Sequence, residues 1–327
     1  MRVLVTGGTG FLGYRLIEKL ITEDAIDEII ASGRKIKTTH FVESAKVKYV
    51  IGHLSDKEFV QKLTENIDVV INCAALSSPW GSKLEFKNAN IVTQDNLIKA
   101  CLFHKVKQFI FISTPSVYFD FQNKLNISEE DALPKTFINN YASSKFEAEE
   151  LLRSSNIPHV IFRPRALIGR GDHVIMPRLI NAYDKNKLKI IGDGENLVDL
   201  TPVSNVVDAI ILSMNNKAAL NQTFNLSNGE PIKLWDKINA VLKKLDRNEI
   251  EKKIPFSVAY SVISLFELVS KTFKLKEPVT TAYSIGVLSK SFSLNIDKAT
   301  QLLKYKPTQT VDEAINEFVT WYKKNEL

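Results

Sequence analysis

Tyr141 and Lys145 stand four positions apart in Tyr-Ala-Ser-Ser-Lys. On a helix that spacing sets both on one face. A free phenol ionises near pH 10, so its phenolate is scarce at neutrality. A lysine ammonium beside it would favour the phenolate, by about 1.4 kcal/mol for each pKa unit. Such a tyrosine can trade a proton with a substrate oxygen. The pair is common in proteins, and a surface Tyr and Lys sharing a face by chance is the competing reading. A second constellation opens the chain, Thr6-Gly-Gly-Thr-Gly-Phe-Leu-Gly13. It satisfies G-x-G-x-x-G through Gly8, Gly10 and Gly13, and G-x-x-G-x-x-G through Gly7, Gly10 and Gly13. Glycines let backbone N–H groups approach a phosphate, and a helix N-terminus favours its charge. Gly13 leaves room for that helix to pack on the preceding strand. Arg2 to Thr6 read as the strand, and Phe11, Leu12, Leu16, Ile17 and Leu20 follow at helical spacing. Strand, glycine turn and helix together mark a dinucleotide site.

The elements that must position these groups alternate along the chain. Asp27 to Ser32 make a second strand, followed by Gly33-Arg34-Lys35. At this place an acidic residue favours a free ribose 2′-hydroxyl and an arginine accommodates a 2′-phosphate. Arg34 and Lys35 without a carboxylate favour NADP(H) over NAD(H), with a solvated basic turn as the alternative. Val47 to Ile51 form a third strand. Gly52-His53-Leu54-Ser55-Asp56 follows, and Asp56 is a good N-cap for Lys57 to Leu63. Ile67 to Asn72 form a fourth strand closing on Cys73, Ala74 and Ala75, small residues that let a cofactor lie close. Phe86 to His104 carry a long helical pattern that includes Asn90. Gln108 to Ile112 form a fifth strand, the helix of Tyr141 runs through Leu152, and Ile157 to Phe162 form a sixth strand. This alternation predicts an α/β fold with a doubly wound parallel sheet covered on both faces. From Arg165 onward the alternation weakens. Val174 to Ala182, Trp235 to Leu245 and Val311 to Tyr322 read as helices, as does Val203 to Met214, which would return to the main sheet.

Taken together, the motifs resemble an extended short-chain dehydrogenase/reductase of the NAD-dependent epimerase/dehydratase family. The nucleotide turn is Thr6 to Gly13. A Ser or Thr lies shortly before a Val-Tyr pair, here Thr114 before Val117-Tyr118, and Tyr141 to Lys145 supply Y-x-x-x-K. Asn90 lies in the long helix before the fifth strand, and Arg163-Pro164 close the sixth. The resemblance covers nearly the whole chain. It implies a Rossmann domain over residues 1–165, completed by about 197–226. Residues 166–196 and 227–327 would form a smaller C-terminal α/β substrate lobe, with the cleft between the two. It also implies roles. Tyr141 would be the general acid in ketone reduction or the base in alcohol oxidation. Lys145 would tune it and hold the nicotinamide ribose. Thr114 would hydrogen-bond the reacting oxygen, and Ser113 could substitute for it. Asn90 would shape the site backbone. Gly7, Gly10, Phe11, Leu12, Gly13, Arg34, His53, Leu54, Cys73, Ala74, Ala75, Asn90, Ser113, Tyr141, Lys145, Pro164 and Leu167 would surround the cofactor, with Pro164 and Leu167 flanking the nicotinamide. Three positions depart from the family pattern: His53 and Ser204 replace a usual or frequent Asp, and Cys73 replaces a frequent His.

Two features narrow the substrate. Dehydratases of this family place an Asp-Glu pair after the catalytic Thr, and here Pro115 and Ser116 stand there, so no acid is supplied to expel water. Residues 254–276 are apolar around much of their circumference, broken by serines and Glu267, with Lys271, Lys274 and Lys276 at the end. Such a helix can cover an apolar pocket or lie on a membrane surface; a core or dimer-packing helix is the alternative. The branch of 3β-hydroxysteroid dehydrogenases and bacterial 2-alkyl-3-oxoalkanoate reductases has a similar segment. The resemblance therefore implies an NADP(H)-dependent oxidoreductase acting on a hydrophobic, steroid-like or 3-oxoacyl substrate, with NAD(H) as the other coenzyme. A nucleotide-sugar 4-epimerase retaining NAD is the runner-up. It would need arginines for a diphosphate, and Arg165, Arg170 and Arg178 are the nearby candidates. A non-catalytic NADP(H) sensor is a third reading, although such proteins commonly lose the Tyr-Lys pair. The resemblance also implies a homodimer through the helices of Asn90 and Tyr141.

Composition bounds the rest. The 327 residues are 44% hydrophobic and 24% charged, as in ordinary globular proteins. A net charge of +6 from 43 basic and 37 acidic residues is spread along the chain and does not point to nucleic acid. Cys73 and Cys101 lack metal-ligand spacing and read as core thiols in a reducing compartment. No metal site is expected. The first strand begins at once with no signal peptide before it, so the expected location is cytoplasmic, with membrane association through 254–276.

Overall fold

The structure is a computed structural model describing residues 1–36, 38–273 and 280–325. Seven strands form its main sheet: β1 (Arg2–Thr6), β2 (Glu28–Gly33), β3 (Val47–Ile51), β4 (Val69–Asn72), β5 (Gln108–Ile112), β6 (His159–Pro164) and β7 (Gln222–Leu226). They lie in the order β7-β6-β5-β4-β1-β2-β3, and every neighbouring pair is parallel. The order reverses between β1 and β4, which opens a crevice beyond the strands' C-terminal ends.

Alternate residues of each strand face opposite layers. Val3 and Val5 join Leu16 and Ile17 of α1 (Phe11–Leu20) and the residues of α7 described below. Leu4 and Val70 face the other way, onto Leu97, Ala148 and Leu152. That second layer consists of α2 (Lys57–Leu63), α3 (Lys83–Phe86), α4 (Thr93–Phe103) and α5 (Asn140–Arg153). The sequence pattern predicts one helix over 86–104. The observed segment instead passes from α3 through a π-helical stretch, Lys87–Val92, into α4. Ser82 and Glu85 start it with a reciprocal capping box.

After β6 the chain forms α6 (Met176–Asp184) and then α7 (Val203–Ser213), which packs on α1 before β7 completes the main sheet. A four-stranded sheet joins Ile232–Lys233, Leu197–Val198, Phe292–Leu294 and Lys124–Ile127. Its last strand comes from the loop between β5 and α5. The remaining helices are α8 (Leu234–Lys244), α9 (Phe256–Thr272), α10 (Ala282–Ser289), α11 (Asp297–Leu303) and α12 (Val311–Asn325). Of these, α11 returns to pack on β7.

Within the apolar segment 254–276, Phe256–Thr272 form α9. Ala259 is buried, and Phe256, Tyr260 and Ile263 pack on the cluster around Trp235 and Ile285. Val258, Val262, Leu265, Phe266, Leu268 and Val269 are exposed. The helix therefore has an open apolar face and is not a core helix. Lys274 and Lys276 lie outside the described residues. Among the described residues no helix is long and apolar enough to cross a membrane.

Candidate active site

The glycine turn sits at the C-terminal end of β1. Gly7 has φ +67°, and a Cβ there would meet Ala74 N at 2.8 Å. A Cβ on Gly13 would lie 2.3 Å from Gly7 O, so both positions demand glycine. Gly10 caps α1 without a side-chain hydrogen bond, leaving the first N–H groups of the helix for a ligand. This cradle suits a dinucleotide pyrophosphate. The Asn72 side chain holds the facing strand end. Its Oδ1 accepts from Thr6 Oγ1 at 2.6 Å and from Ala74 N at 3.0 Å, and its Nδ2 donates to Gln94 Oε1 at 2.6 Å. Burial pushes the Cys73 thiol up to about 12, so it stays protonated. Arg34 is exposed immediately after β2. His53 is exposed and Leu54 half-buried in their loop, which Asn96 pins by donating to Leu54 O at 3.0 Å. Pro164 ends β6, and Leu167 follows a turn in which Ala166 has φ +40°.

Tyr141 begins the first turn of α5, where Asn139 caps the helix by accepting from Ala142 N at 2.8 Å. Its hydroxyl is hydrogen-bonded to the side chains of Ser77 and Thr114. Burial holds the phenol above its ordinary pKa, and those two hydrogen bonds oppose the rise. Thr114 Oγ1 also donates to Ser116 Oγ at 3.1 Å, and Ser116 Oγ meets Tyr283 OH at 2.8 Å. Asn90 fixes the segment before Ser77. Its Oδ1 accepts from Leu76 N at 2.7 Å and its Nδ2 donates to Ser144 Oγ at 2.9 Å. The π-helical stretch turns Asn90 inward to do this, consistent with a role in shaping the site backbone.

Lys145 is 1% exposed. Its Nζ donates to Ile112 O at 2.7 Å and lies 3.9 Å from the centre of the Phe111 ring. Burial draws its pKa down to about 7 against the opposing pull of Glu149. Here the sequence expectation needs correction. Lys145 and Tyr141 share a helix face, yet the ammonium is not among the groups acting on the phenol, whose pKa rises instead of falling. Desolvation is the largest influence on the phenol.

Ser113 requires a second correction. Its hydroxyl donates to Glu149, so it is turned away from Tyr141 and does not stand in for Thr114. Glu149 is wholly buried and also accepts from Arg163 Nε at 3.0 Å and from Arg153 at 2.7 Å. The Arg163 charge holds the Glu149 carboxyl below its usual range despite burial.

Segments after β6 bring further residues to the site: Arg165, named above only as a diphosphate candidate, Asp199 and, from α10, Tyr283. Arg165 is 7% exposed, and its guanidinium lies 4.7 Å from the centre of the Phe292 ring. It hydrogen-bonds Tyr283, and its Nε is without a partner. Asp199 is buried nearby. Its Oδ2 accepts from Leu294 N at 2.7 Å, its Oδ1 is without a partner, and burial pushes its pKa up to about 6. Ser77 had one legible signal, a hydroxyl two residues beyond the strand end at Ala75. Tyr283 had none. Arg170 is bound to Glu18 at 2.6 Å and Glu317 at 3.4 Å, so two carboxylates occupy this candidate for a diphosphate contact.

Comparison with known proteins places the fold in a family. The profile of the NAD dependent epimerase/dehydratase family matches residues 3–227. The chain is 28% identical to a 2-alkyl-3-oxoalkanoate reductase of Stenotrophomonas maltophilia, over 96% of this chain and 97% of that protein. It is 31% identical to an Arabidopsis thaliana 3beta-hydroxysteroid-dehydrogenase/decarboxylase, over 95% of this chain and 77% of the other. Among solved structures, a UDP-glucuronic acid 4-epimerase from Bacillus cereus in complex with NAD superposes with a TM-score of 0.78. That pair shares 22% identity over the whole of both chains, a likeness of fold.

Proposed function

Because the chain belongs to the NAD dependent epimerase/dehydratase family, we propose that this oxidoreductase interconverts a ketone and a secondary alcohol on a hydrophobic 3-oxo-acid or sterol-like substrate. The observation that carries the reading is the hydroxyl cluster of Ser77, Thr114 and Tyr141 with the buried Lys145 one helical turn along. The names of the relatives support the substrate class. A 2-alkyl-3-oxoalkanoate carries its carboxyl group on the carbon next to the reacting one.

The nicotinamide cofactor supplies the hydride in reduction and accepts it in oxidation. Tyr141, held neutral at physiological pH by its raised pKa, donates its phenolic proton to the carbonyl oxygen. Thr114 and Ser77 fix the phenol oxygen. Lys145, whose pKa lies near neutrality, can return a proton to Tyr141 or carry the compensating charge. Arg34 at the end of β2, with no carboxylate at the strand end, supports NADP(H) over NAD(H). The open apolar face of α9 supports contact with a lipid surface. Exposed Leu84 and Phe103, on the helices that flank Asn90, support a homodimer through that face.

The test is oxidation of NADPH and NADH by purified protein against 2-alkyl-3-oxo acids, 3-ketosteroids and aryl ketones, with Tyr141→Phe as control. Turnover of an apolar ketone that disappears in the variant is the expected result. Cofactor binding without turnover of any ketone would overturn the reading.

A further inference from the structure

Three arginines, Arg163 within β6 and Arg165 and Arg170 after it, follow one another along the chain, and they are used differently. Arg163 donates to Glu149 and Tyr118. Arg170 binds Glu18, Glu317 and Tyr14. Arg165, between them, lies within salt-bridge distance of no carboxylate among the described residues, and its Nε–H is unspent. The buried Asp199 carboxyl acts on it only from beyond salt-bridge distance, and a buried guanidinium with no anion in contact is expensive, so a fold retains one where a ligand completes it. The unspent Nε–H is half of the side-on fork that takes a carboxylate through two parallel hydrogen bonds.

Position adds the second element. Arg165 hydrogen-bonds Tyr283, which meets Ser116 Oγ at 2.8 Å, which in turn accepts from Thr114 at 3.1 Å, which contacts Tyr141. A continuous row of polar side chains thus joins the proton donor to the spare cation. Beyond the row the wall turns aromatic. Phe119 lies edge-on to Tyr283 and Phe292, and Phe121 edge-on to Tyr260 of α9. The row and wall suit a molecule with a reacting oxygen, an acidic group close by and an apolar tail.

We propose that Arg165 is the substrate-carboxylate anchor, selecting 3-oxo acids over ketones that lack the acid. The inference rests on the ketone-reduction reading for its reaction but not for its binding site. Its test compares a 2-alkyl-3-oxo acid with its methyl ester and with the matching ketone lacking the carboxyl group. In the native protein the acid should show a kcat/KM about a hundredfold above either neutral compound, the scale of one charge-assisted pair. Arg165→Gln should erase that advantage, so that the acid's kcat/KM in the variant no longer exceeds that of its ester or of the neutral ketone. Arg165→Lys should restore part of it, because a point charge replaces the fork.

Binding gives the second readout, independent of turnover and of the folding of any variant. Decanoate should bind the native protein at least tenfold more tightly than decanamide in calorimetric titration. Equal binding, or equal turnover of acid and ester, would falsify the anchor even if ketone reduction stands. Preferential decanoate binding without ketone turnover would uphold the anchor and remove the reductase reading. Tighter binding of UDP than of decanoate, with Arg165→Gln abolishing it, would assign the cation to a diphosphate and overturn the carboxylate.

Discussion

Two buried polar clusters flank the ends of β5 and β6, and neighbouring residues feed both. Ser113 turns to Glu149, which Arg163 and Arg153 also bind, whereas Thr114 turns to Ser116 and to Tyr141, the partner of Ser77. Extended backbone at Thr114 sends consecutive side chains to opposite sides. The first cluster is saturated: its carboxylate takes donors from two arginines and a serine. The second has spare capacity. Lys145 spends one donor on a backbone carbonyl, Arg165 keeps an Nε–H, and Asp199 keeps an oxygen. A saturated buried network fixes strands to a helix, while one with unspent groups is built to be completed by ligands.

The comparison is broken most directly at its two centres. Tyr141→Phe should lower kcat/KM about a thousandfold while the urea midpoint stays nearly unchanged. Glu149→Gln should do the reverse. Breaking a buried pair leaves Arg163 uncompensated and should cost about 3 kcal/mol in urea unfolding, with the coenzyme's KM little altered in the protein that remains folded. If both variants lose stability alike, the division into a structural and a chemical cluster fails.

Lys145 sharpens it through pH. Burial sets its native pKa at about 7, whereas an unfolded lysine titrates near 10.4. Between these values the unfolded chain binds more protons, so this residue's contribution to stability rises with pH across that window. Lys145→Met removes the buried charge. Its melting temperature should exceed the native one most below pH 7, with the gap closing towards pH 10. A constant gap would mean that burial does not lower the native pKa of Lys145. The smallest effect belongs to Ser77→Ala, about tenfold in kcat with a shift in the pH profile as Tyr141 loses one hydrogen bond. An unchanged profile would remove Ser77 from the proton-handling set.

What was legible in the chain was local. The glycine turn is encoded by conformations that only glycine tolerates at Gly7 and by contacts that exclude a Cβ at Gly13. The parallel sheet follows from short apolar runs alternating with helical periods. Tyr141 and Lys145 were readable because four residues on a helix share a face. Their electrostatics were not, since the energy of a buried phenol or ammonium depends on what surrounds it. Ser113 and Thr114 looked interchangeable, and only the direction of the backbone separated them. Asn90 was placed in a helix, but the π-helical stretch that turns it to Leu76 leaves no periodic signal.

The amino-acid order by itself determined the Rossmann architecture, the glycine turn after β1 and the shared helix face of Tyr141 and Lys145, because each depends on backbone geometry or short spacing. Only the tertiary structure brought Ser77, Thr114, Tyr141, Arg165 and Tyr283 into one row, spanning as many as 167 positions between bonded partners such as Ser116 and Tyr283. It also decided which buried charges are satisfied, because satisfaction belongs to donors and acceptors that meet across the fold and no stretch of sequence holds both.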